Sequence, residues 1–511
     1  MLTSPDLSTL AAIAATSLIL WAGYRLTKTK RRRPPGPAPR VLVGNLYDFP
    51  TGGYEWLAYE KMARQTGSDV VYLNALGMSV LVLNSFEAAR GLLDKKGVLY
   101  SSRPRLVMVN ELMGWGWNLV LMAYGKAYTV YRRVVQQHFQ PSVVQELYHP
   151  VMSREVAALL RRSLTQPDGL LKHIKLMTGA IIMMVTYGHQ VTSEDDEYVA
   201  LAEAVREAEE EQPGATLVDI LPILKHVPAW FPGAHYKRKA LLARKLSERM
   251  RYAPFEMVKR RLASGAAVQP SMVSRILQRD PAGEEMDLEQ LAVDCGGVVY
   301  SAGADTTAVA LMNFALAMML YPDVQTRAQK ELDDIVGRDR LPTFEDRPRL
   351  PYVSRVVKES LRWRAVSCLG VPHCTLDDDV YRGAHIPKGT TVLANIAAMQ
   401  HDPSVYADPY AFDPDRFLPS AAKPSGEPDP ARAAFGFGRR ICPGRFFAED
   451  SVWLAVASLL HAFVLADPTG LRDVSRVHWK SGLVNSPLPF PLAVAPRFAG
   501  VHELVGAVNA P

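Results

Sequence analysis

One cysteine in a loop rich in glycine and arginine is the most chemically pointed feature of this chain. The run Phe435-Gly436-Phe437-Gly438-Arg439-Arg440-Ile441-Cys442-Pro443-Gly444-Arg445 leads straight into an apolar helical stretch, Phe446 to Phe463. Three glycines around one cysteine predict a tight backbone loop, with glycine where positive φ or close approach is needed. Cys442 then stands at a helix N-terminus, where the dipole and free N–H groups favour a thiolate and lower the thiol pKa. An isolated cysteine is more often a small buried hydrophobe. The Phe-x-x-Gly-x-Arg-x-Cys-x-Gly spacing argues against that reading.

Two further clusters carry chemistry. In Ala302-Gly303-Ala304-Asp305-Thr306-Thr307, an acid and an alcohol stand beside glycine inside a helical pattern. These are poor interior helix formers, and such local violations are expected at functional sites. The bland alternative is a threonine bonding the carbonyl four residues back. In Leu350 to Arg364, Glu359 and Arg362 stand three apart on one helix face, where carboxylate and guanidinium can pair. The four cysteines, Cys295, Cys368, Cys374 and Cys442, show no C-x-x-C spacing, which argues against a disulfide framework and a zinc ribbon and favours a reducing compartment.

These residues need a scaffold. The longest helical pattern opens near Asp287, runs through Leu291, Val298 and Leu311, and stops before Pro322; at ~1.5 Å per residue it must cross a core. Val70 to Leu73 and Val80 to Leu83 alternate as a short hairpin, and Val392 to Asn395 follows a Pro-Lys-Gly turn as another strand. From about residue 40 onward no second linker or repeat is visible, so one large domain is expected. Before it, Leu7 to Tyr24 is an uncharged run followed by Arg25, Lys28, Lys30, Arg31, Arg32 and Arg33. Basic residues after the apolar run predict a signal anchor with its C-terminal side cytosolic. The Pro34 to Pro39 stretch then reads as a stiff spacer holding the body off the membrane.

The cysteine loop resembles the haem-binding loop of the cytochromes P-450, and the likeness extends over nearly the whole chain. It implies a mainly α fold with small β-sheets (α+β). The segments are then 1–6 lumenal, 7–24 transmembrane anchor, 25–40 basic and Pro-rich linker, and 41–511 haem domain. By the resemblance Cys442 is the axial thiolate of the iron of haem b, Phe435 packs near the sulfur, and Arg440 pairs with a haem propionate. Arg132 and Tyr128, in a segment that usually reads Trp-x-x-x-Arg, and His373 are further implied haem contacts, Tyr128 standing where Trp is usual. Arg416 in Pro414-Asp415-Arg416-Phe417 is expected to complete a buried structural triad with Glu359 and Arg362. Gly303 is expected to let its helix approach the haem and open an oxygen pocket, with Thr306 handling oxygen and Asp305 relaying protons.

The implied activity is oxidation of a hydrophobic small molecule with O2 and electrons from NADPH, in the manner of fungal members of secondary metabolism (terpenoid or polyketide) or xenobiotic oxidation. No G-x-G-x-x-G after a strand is visible, so electrons are expected from a separate NADPH-cytochrome P-450 reductase, with cytochrome b5 as a second candidate donor. Arg132, Arg133, Arg439 and Arg445 are candidates for the docking face. Val107, Met108, Leu112, Met113, Trp115 and Trp117, with the segments Ile181 to Val185, Val366 to Val371 and Leu483 to Phe490, are candidate pocket walls. A haem-thiolate isomerase or dehydratase acting on a peroxide without reductase, and a non-enzymatic haem protein, stay open at this level. The net charge of +6 in 511 residues resides wholly in residues 1 to 40, leaving 51 charges of each sign beyond them. That removes support for nucleic-acid binding and fits a single-pass protein of the endoplasmic reticulum membrane, its basic collar on the cytosolic face against lipid headgroups.

Overall fold

The computed structural model of the chain describes residues 32–507, apart from 211–216, 266–268, 280–285, 422 and 471–476, together with Thr16. The expected anchor at 7–24, Thr16 excepted, and the basic residues Arg25 to Arg31 lie outside the described residues.

The alternating apolar runs form the expected hairpin, β1 (Val70–Ala75) and β2 (Met78–Leu83), paired antiparallel from Val70 with Leu83 to Ala75 with Met78. Two later strands, β3 (His373–Cys374) and β4 (Thr391–Ala394), complete a four-stranded sheet in the order β1-β2-β4-β3, in which only β2 and β4 run parallel. The other sheets of the described residues are two-stranded.

Helices make up the rest of the frame: α1 (Lys126–His138), α2 (His149–Thr165), α3 (Leu170–Tyr187), α4 (His235–Ala263), α5 (Leu288–Leu320), α6 (Pro322–Ile335), α7 (Pro351–Trp363) and α8 (Arg445–Ala462). The architecture is mainly helical with small sheets. The long helix α5 starts where the sequence places it, because the Asp287 carboxylate accepts the Glu289 N–H at 3.0 Å as an N-cap. Its 33 residues span about 50 Å, and residues 291–300 and 307–319 are buried, as a helix that crosses a core requires. Pro322 ends it by opening α6.

Three apolar cores result among the described residues. The largest is built from α1 to α8; two smaller ones cover the two faces of the sheet. Phe437 belongs to one of the sheet-side cores and Phe447 to the helical one, so the loop carrying Cys442 bridges the two. The two described segments long and apolar enough to cross a membrane, Pro167–Tyr187 and Leu288–Leu320, have 78% and 72% of their apolar windows inside the protein, and are core helices.

The Pro-rich segment departs from expectation. It is no free spacer but a strap laid along β1: the Pro35 carbonyl accepts the Tyr72 N–H at 2.7 Å, and the Asn45 side chain donates to Pro37 O at 3.0 Å. At Gly36 a Cβ would fall 1.9 Å from the Tyr72 carbonyl oxygen, so only glycine allows this crossing. Backbone groups left open on a sheet edge draw the strap in.

Candidate active site around Cys442

The cysteine loop closes on itself through the Cys442 N–H, which donates to Phe435 O at 2.8 Å. Gly436 and Gly438 take φ of +78° and +55°, and a Cβ on Gly438 would meet the Leu93 carbonyl oxygen at 2.1 Å. Both glycines are therefore dictated by backbone geometry. Gly444 is different: its φ is −88°, it caps α8, and its N–H faces the Cys442 sulfur. The Cys442 thiol is not lowered as its place at a helix start led one to expect. Burial pushes the Cys442 thiol up, and the Gly444 N–H together with Arg132 and Arg445 offsets that only in part. In the protein alone desolvation outweighs the helix N-terminus.

Around the loop lies a group of cations without a carboxylate. Arg440, buried, donates from Nε to Ser101 O at 2.7 Å, from Nη1 to Leu119 O at 3.2 Å and from Nη2 to Met122 O at 2.7 Å. Burial, and then Arg132, push it down to about 10, against the pull of Tyr128. Arg103 donates from Nε to Val120 O and from Nη1 to Val371 O and Pro372 O, all within 2.8 Å, and burial followed by Arg440 pushes it down to about 9. Arg132, on α1, makes no hydrogen bond or ion pair among the described residues, and burial lowers it too. Arg103 senses Arg440 and Arg440 senses Arg132; the first two are held by neutral carbonyls and the third by no hydrogen-bond partner among the described residues, so no carboxylate neutralises the three guanidiniums. Arg103 was missed in the sequence; the Arg-Pro after Ser101-Ser102 was its only signal.

His373 sits in β3 beside this group. Its Nδ1 lies 2.8 Å from Tyr100 O, and burial followed by Arg103 pushes it down to about 3, so the ring is neutral. With the Nδ1 hydrogen given to Tyr100, Nε2 is an acceptor. Donation to a carboxylate would need a second ring proton, which burial and Arg103 oppose. Tyr128 likewise has its hydroxyl engaged elsewhere, donating to Arg439 O at 2.7 Å.

Helix α5 has one open turn in its buried middle. Ala302 and Thr306 are its only exposed residues between Leu291 and Met319, and the Thr306 hydroxyl donates to Ala302 O at 3.0 Å. The hydroxyl oxygen keeps its lone pairs toward the open side. Asp305, the next position round the helix, is half-buried. Gly303 has a packing role that was not expected of it. A Cβ there would lie 2.5 Å from Cδ1 and 2.8 Å from Cγ1 of Ile182, so the missing side chain serves the close packing of α5 on α3. Ile181 to Val185 are buried in α3, as are Val107, Met108, Leu112, Met113 and Trp115 in their own segment. Of the other segments, Val366 is half-buried and tied to the last one by the Asn485 N–H, 2.7 Å from its carbonyl, while Leu483 is exposed.

Behind the site, Glu359, Arg362 and Arg416 meet, all buried. Glu359 Oε1 accepts from Arg362 Nη2 at 2.8 Å and from Arg416 Nε at 2.9 Å, and Oε2 accepts from Arg362 Nε at 2.8 Å. A fourth member, Glu427, escaped the sequence reading because it lies in an irregular loop: its Oε2 takes Arg416 Nη1 at 2.8 Å. Carbonyls of Gln400, Pro409 and Ala411 fill the remaining Arg362 donors. Two guanidiniums and two carboxylates thus cancel in charge and satisfy one another. Asp415 turns outward to Arg327 at 2.7 Å and takes no part. Arg133 and Arg439 are exposed, while Arg132 and Arg445 are half-buried.

The Cytochrome P450 family profile matches residues 34–494. The chain is 39% identical over 510 residues to cytochrome P450 monooxygenase 208 of Postia placenta, covering 98% of each chain. It is 40% identical over 514 residues to cytochrome P450 monooxygenase ple1 of Rhodocybe pseudopiperita, covering 99% of this chain and 97% of the relative, and 37% identical over 520 residues to cytochrome P450 monooxygenase claR of Ampulloclitocybe clavipes, covering 100% and 95%. Agreement over nearly the full length leaves one assignment: this chain belongs to the cytochrome P450 family and is a P450 monooxygenase.

Proposed function

We propose that the chain oxidises a hydrophobic small molecule at a haem b held between the cysteine loop and α5, with Cys442 as the axial ligand of the iron. The observation that carries this reading is the carboxylate-free group of Arg103, Arg132 and Arg440 beside the Cys442 loop. The residues fit haem: its two propionates are the anions such a group lacks, and the Cys442 sulfur sits at a helix start with the Gly444 N–H facing it. When bound, haem supplies the oxidising chemistry, and thiolate ligation favours O–O cleavage.

The chain's own residues do the rest. Arg103, Arg132 and Arg440 hold the propionate edge and neutralise it. The Gly444 N–H stabilises charge on sulfur. Thr306, its hydrogen given to Ala302 O, accepts a hydrogen bond on the open side and so orders water where oxygen is handled. Asp305 relays protons toward that turn. Apolar residues of the Val107 to Trp117 segment, with Val366 and Leu483, orient the substrate and exclude water.

Electrons come from NADPH through a separate reductase, which docks on a face including Arg133 and Arg439, both exposed beside the loop. The apolar 7–24 run and its basic collar support anchoring in the endoplasmic reticulum membrane, catalytic body in the cytosol. Similarity to fungal monooxygenases, with the apolar lining, supports a terpenoid or polyketide substrate of secondary metabolism.

The test is microsomal expression with a reductase. The reduced, CO-bound protein is expected to show the red-shifted band of a haem thiolate, and Cys442→Ser to lose it. A variant that keeps the band refutes the ligand assignment. Spin-shift titration with terpenoid and polyketide libraries then identifies the substrate; NADPH-independent turnover would overturn the reductase requirement.

A further inference from the structure

Tyr128 occupies a place where the resemblance leads one to expect tryptophan, and the structure gives its two ends different work. Its hydroxyl donates to the Arg439 carbonyl at 2.7 Å, three residues before Cys442. Its ring lies under the Arg440 guanidinium, 3.7 Å from the centroid. Tyr124, one turn earlier and 5.5 Å from the Tyr128 ring, accepts from the Arg439 side chain at 2.9 Å. Arg439 is therefore gripped twice, by main chain and by side chain, from the start of α1.

A phenol has one hydrogen to give, whereas an indole N–H is a donor only. With that hydrogen on Arg439 O, Tyr128 has none for a carboxylate. Nor is the ring free to turn away: Tyr128 is buried, and Arg440 above it is pinned by the carbonyls of Ser101, Leu119 and Met122. The Arg439 carbonyl belongs to the turn Gly438–Arg440 that delivers the chain to Cys442.

We propose that Tyr128 is a positioning residue and no donor to the cofactor: it fixes the thiolate loop through Arg439 and aims Arg440 at the propionates. This rests on the reading of Cys442 as the axial ligand. The substitution of tyrosine for tryptophan thus exchanges one hydrogen bond to the cofactor for one to the backbone that carries the ligand.

The experiment uses the full-length holoenzyme and the variants Tyr128→Phe, Tyr128→Trp and, as a control, Tyr124→Phe. Three rates are read: loss of the ferrous–CO thiolate band at a fixed raised temperature, amide hydrogen exchange over residues 438–442, and haem transfer to excess apomyoglobin. For Tyr128→Phe we expect band loss and loop exchange to rise about five-fold, the factor corresponding to one hydrogen bond of ~1 kcal/mol. Tyr128→Trp, which restores a donor but not one at the phenol's position, is expected to exchange as fast, and it stands in if the Phe variant does not accumulate. Tyr124→Phe should leave loop exchange within about two-fold of wild type, since it removes only a bond to an exposed side chain. Faster haem transfer with unchanged loop exchange would make Tyr128 a direct donor to haem and overturn the proposal, as would no change in any rate. A wild-type protein without the thiolate band would instead overturn the ligand assignment itself.

Discussion

The Thr306 hydroxyl donates to the Ala302 carbonyl one turn back, at 3.0 Å, and these two residues are the exposed pair in the buried middle of α5. This is the backbone bond of the bland reading, and it leaves the oxygen-handling role proposed above to the lone pairs of the hydroxyl. The hydrogen is used locally; the lone pairs are what the open side sees. Thr306→Ala is therefore expected to leave the helix intact and to continue consuming NADPH, with product formation down roughly ten-fold, short of the ~10²-fold that a full general acid supplies. The missing equivalents should appear as hydrogen peroxide, and Thr306→Ser should recover most of the product. Parallel measurement of NADPH, peroxide and product checks this; unchanged coupling in the alanine variant refutes a role in proton delivery.

Gly303 tests packing against cofactor approach. A Cβ there would stand 2.5 Å from Ile182 Cδ1, so Gly303→Ala should destabilise the fold by about 1–3 kcal/mol, as overpacking does. Ile182→Val removes the nearest of those atoms, and the double variant should recover part of the loss. Chemical denaturation of the four proteins of the cycle gives the coupling. A simple sum of the two single effects would place the crowding elsewhere.

The buried network around Glu359 is sensitive to removal of one partner. Glu359→Gln leaves Arg362 without a carboxylate and Arg416 with Glu427 alone, and a cost of about 3–5 kcal/mol is expected, read as loss of soluble, haem-loaded protein. Asp415→Glu, which changes a residue paired outward with Arg327, should stay within ~0.5 kcal/mol of the parent.

Asp346 makes stability depend on pH. Its carboxylate receives both Nη atoms of Arg340, at 2.6 and 2.7 Å, with further bonds from Arg349 and Thr343, and Arg340 above all holds it below the usual carboxylate range. A depressed folded pKa means that the unfolded chain takes up a proton first, at about pH 3.9. Stability from this group is thus complete above that value and is lost as pH falls toward the folded pKa. Asp346→Asn should cost about 2 kcal/mol near neutrality and much less in acid. The gap between the urea midpoints of parent and variant should be smaller at ~pH 3.5 than at ~pH 6 and continue to narrow in stronger acid; a constant gap would contradict the assignment.

The chemistry of this protein was largely legible in short-range spacing. Glycines around Cys442, the Asp287 cap, the Pro322 stop and the Glu359/Arg362 pair each depend on neighbours within a few residues, and local rules of dihedral angle, capping and helical period act at that range. Tertiary structure alone decided the rest, because the partners come from distant parts of the chain. Arg103 and Arg440 sense one another across more than three hundred positions. Gly303 packs against Ile182, since which neighbour meets which face of a helix apolar nearly all round leaves no periodic trace. The Cys442 thiol is raised by burial where the helix start alone argued for lowering, because desolvation is a property of everything packed around a group. Sequence determined what Cys442, Thr306 and the buried triad are able to do; packing determined which hydrogens and charges remain free to do it.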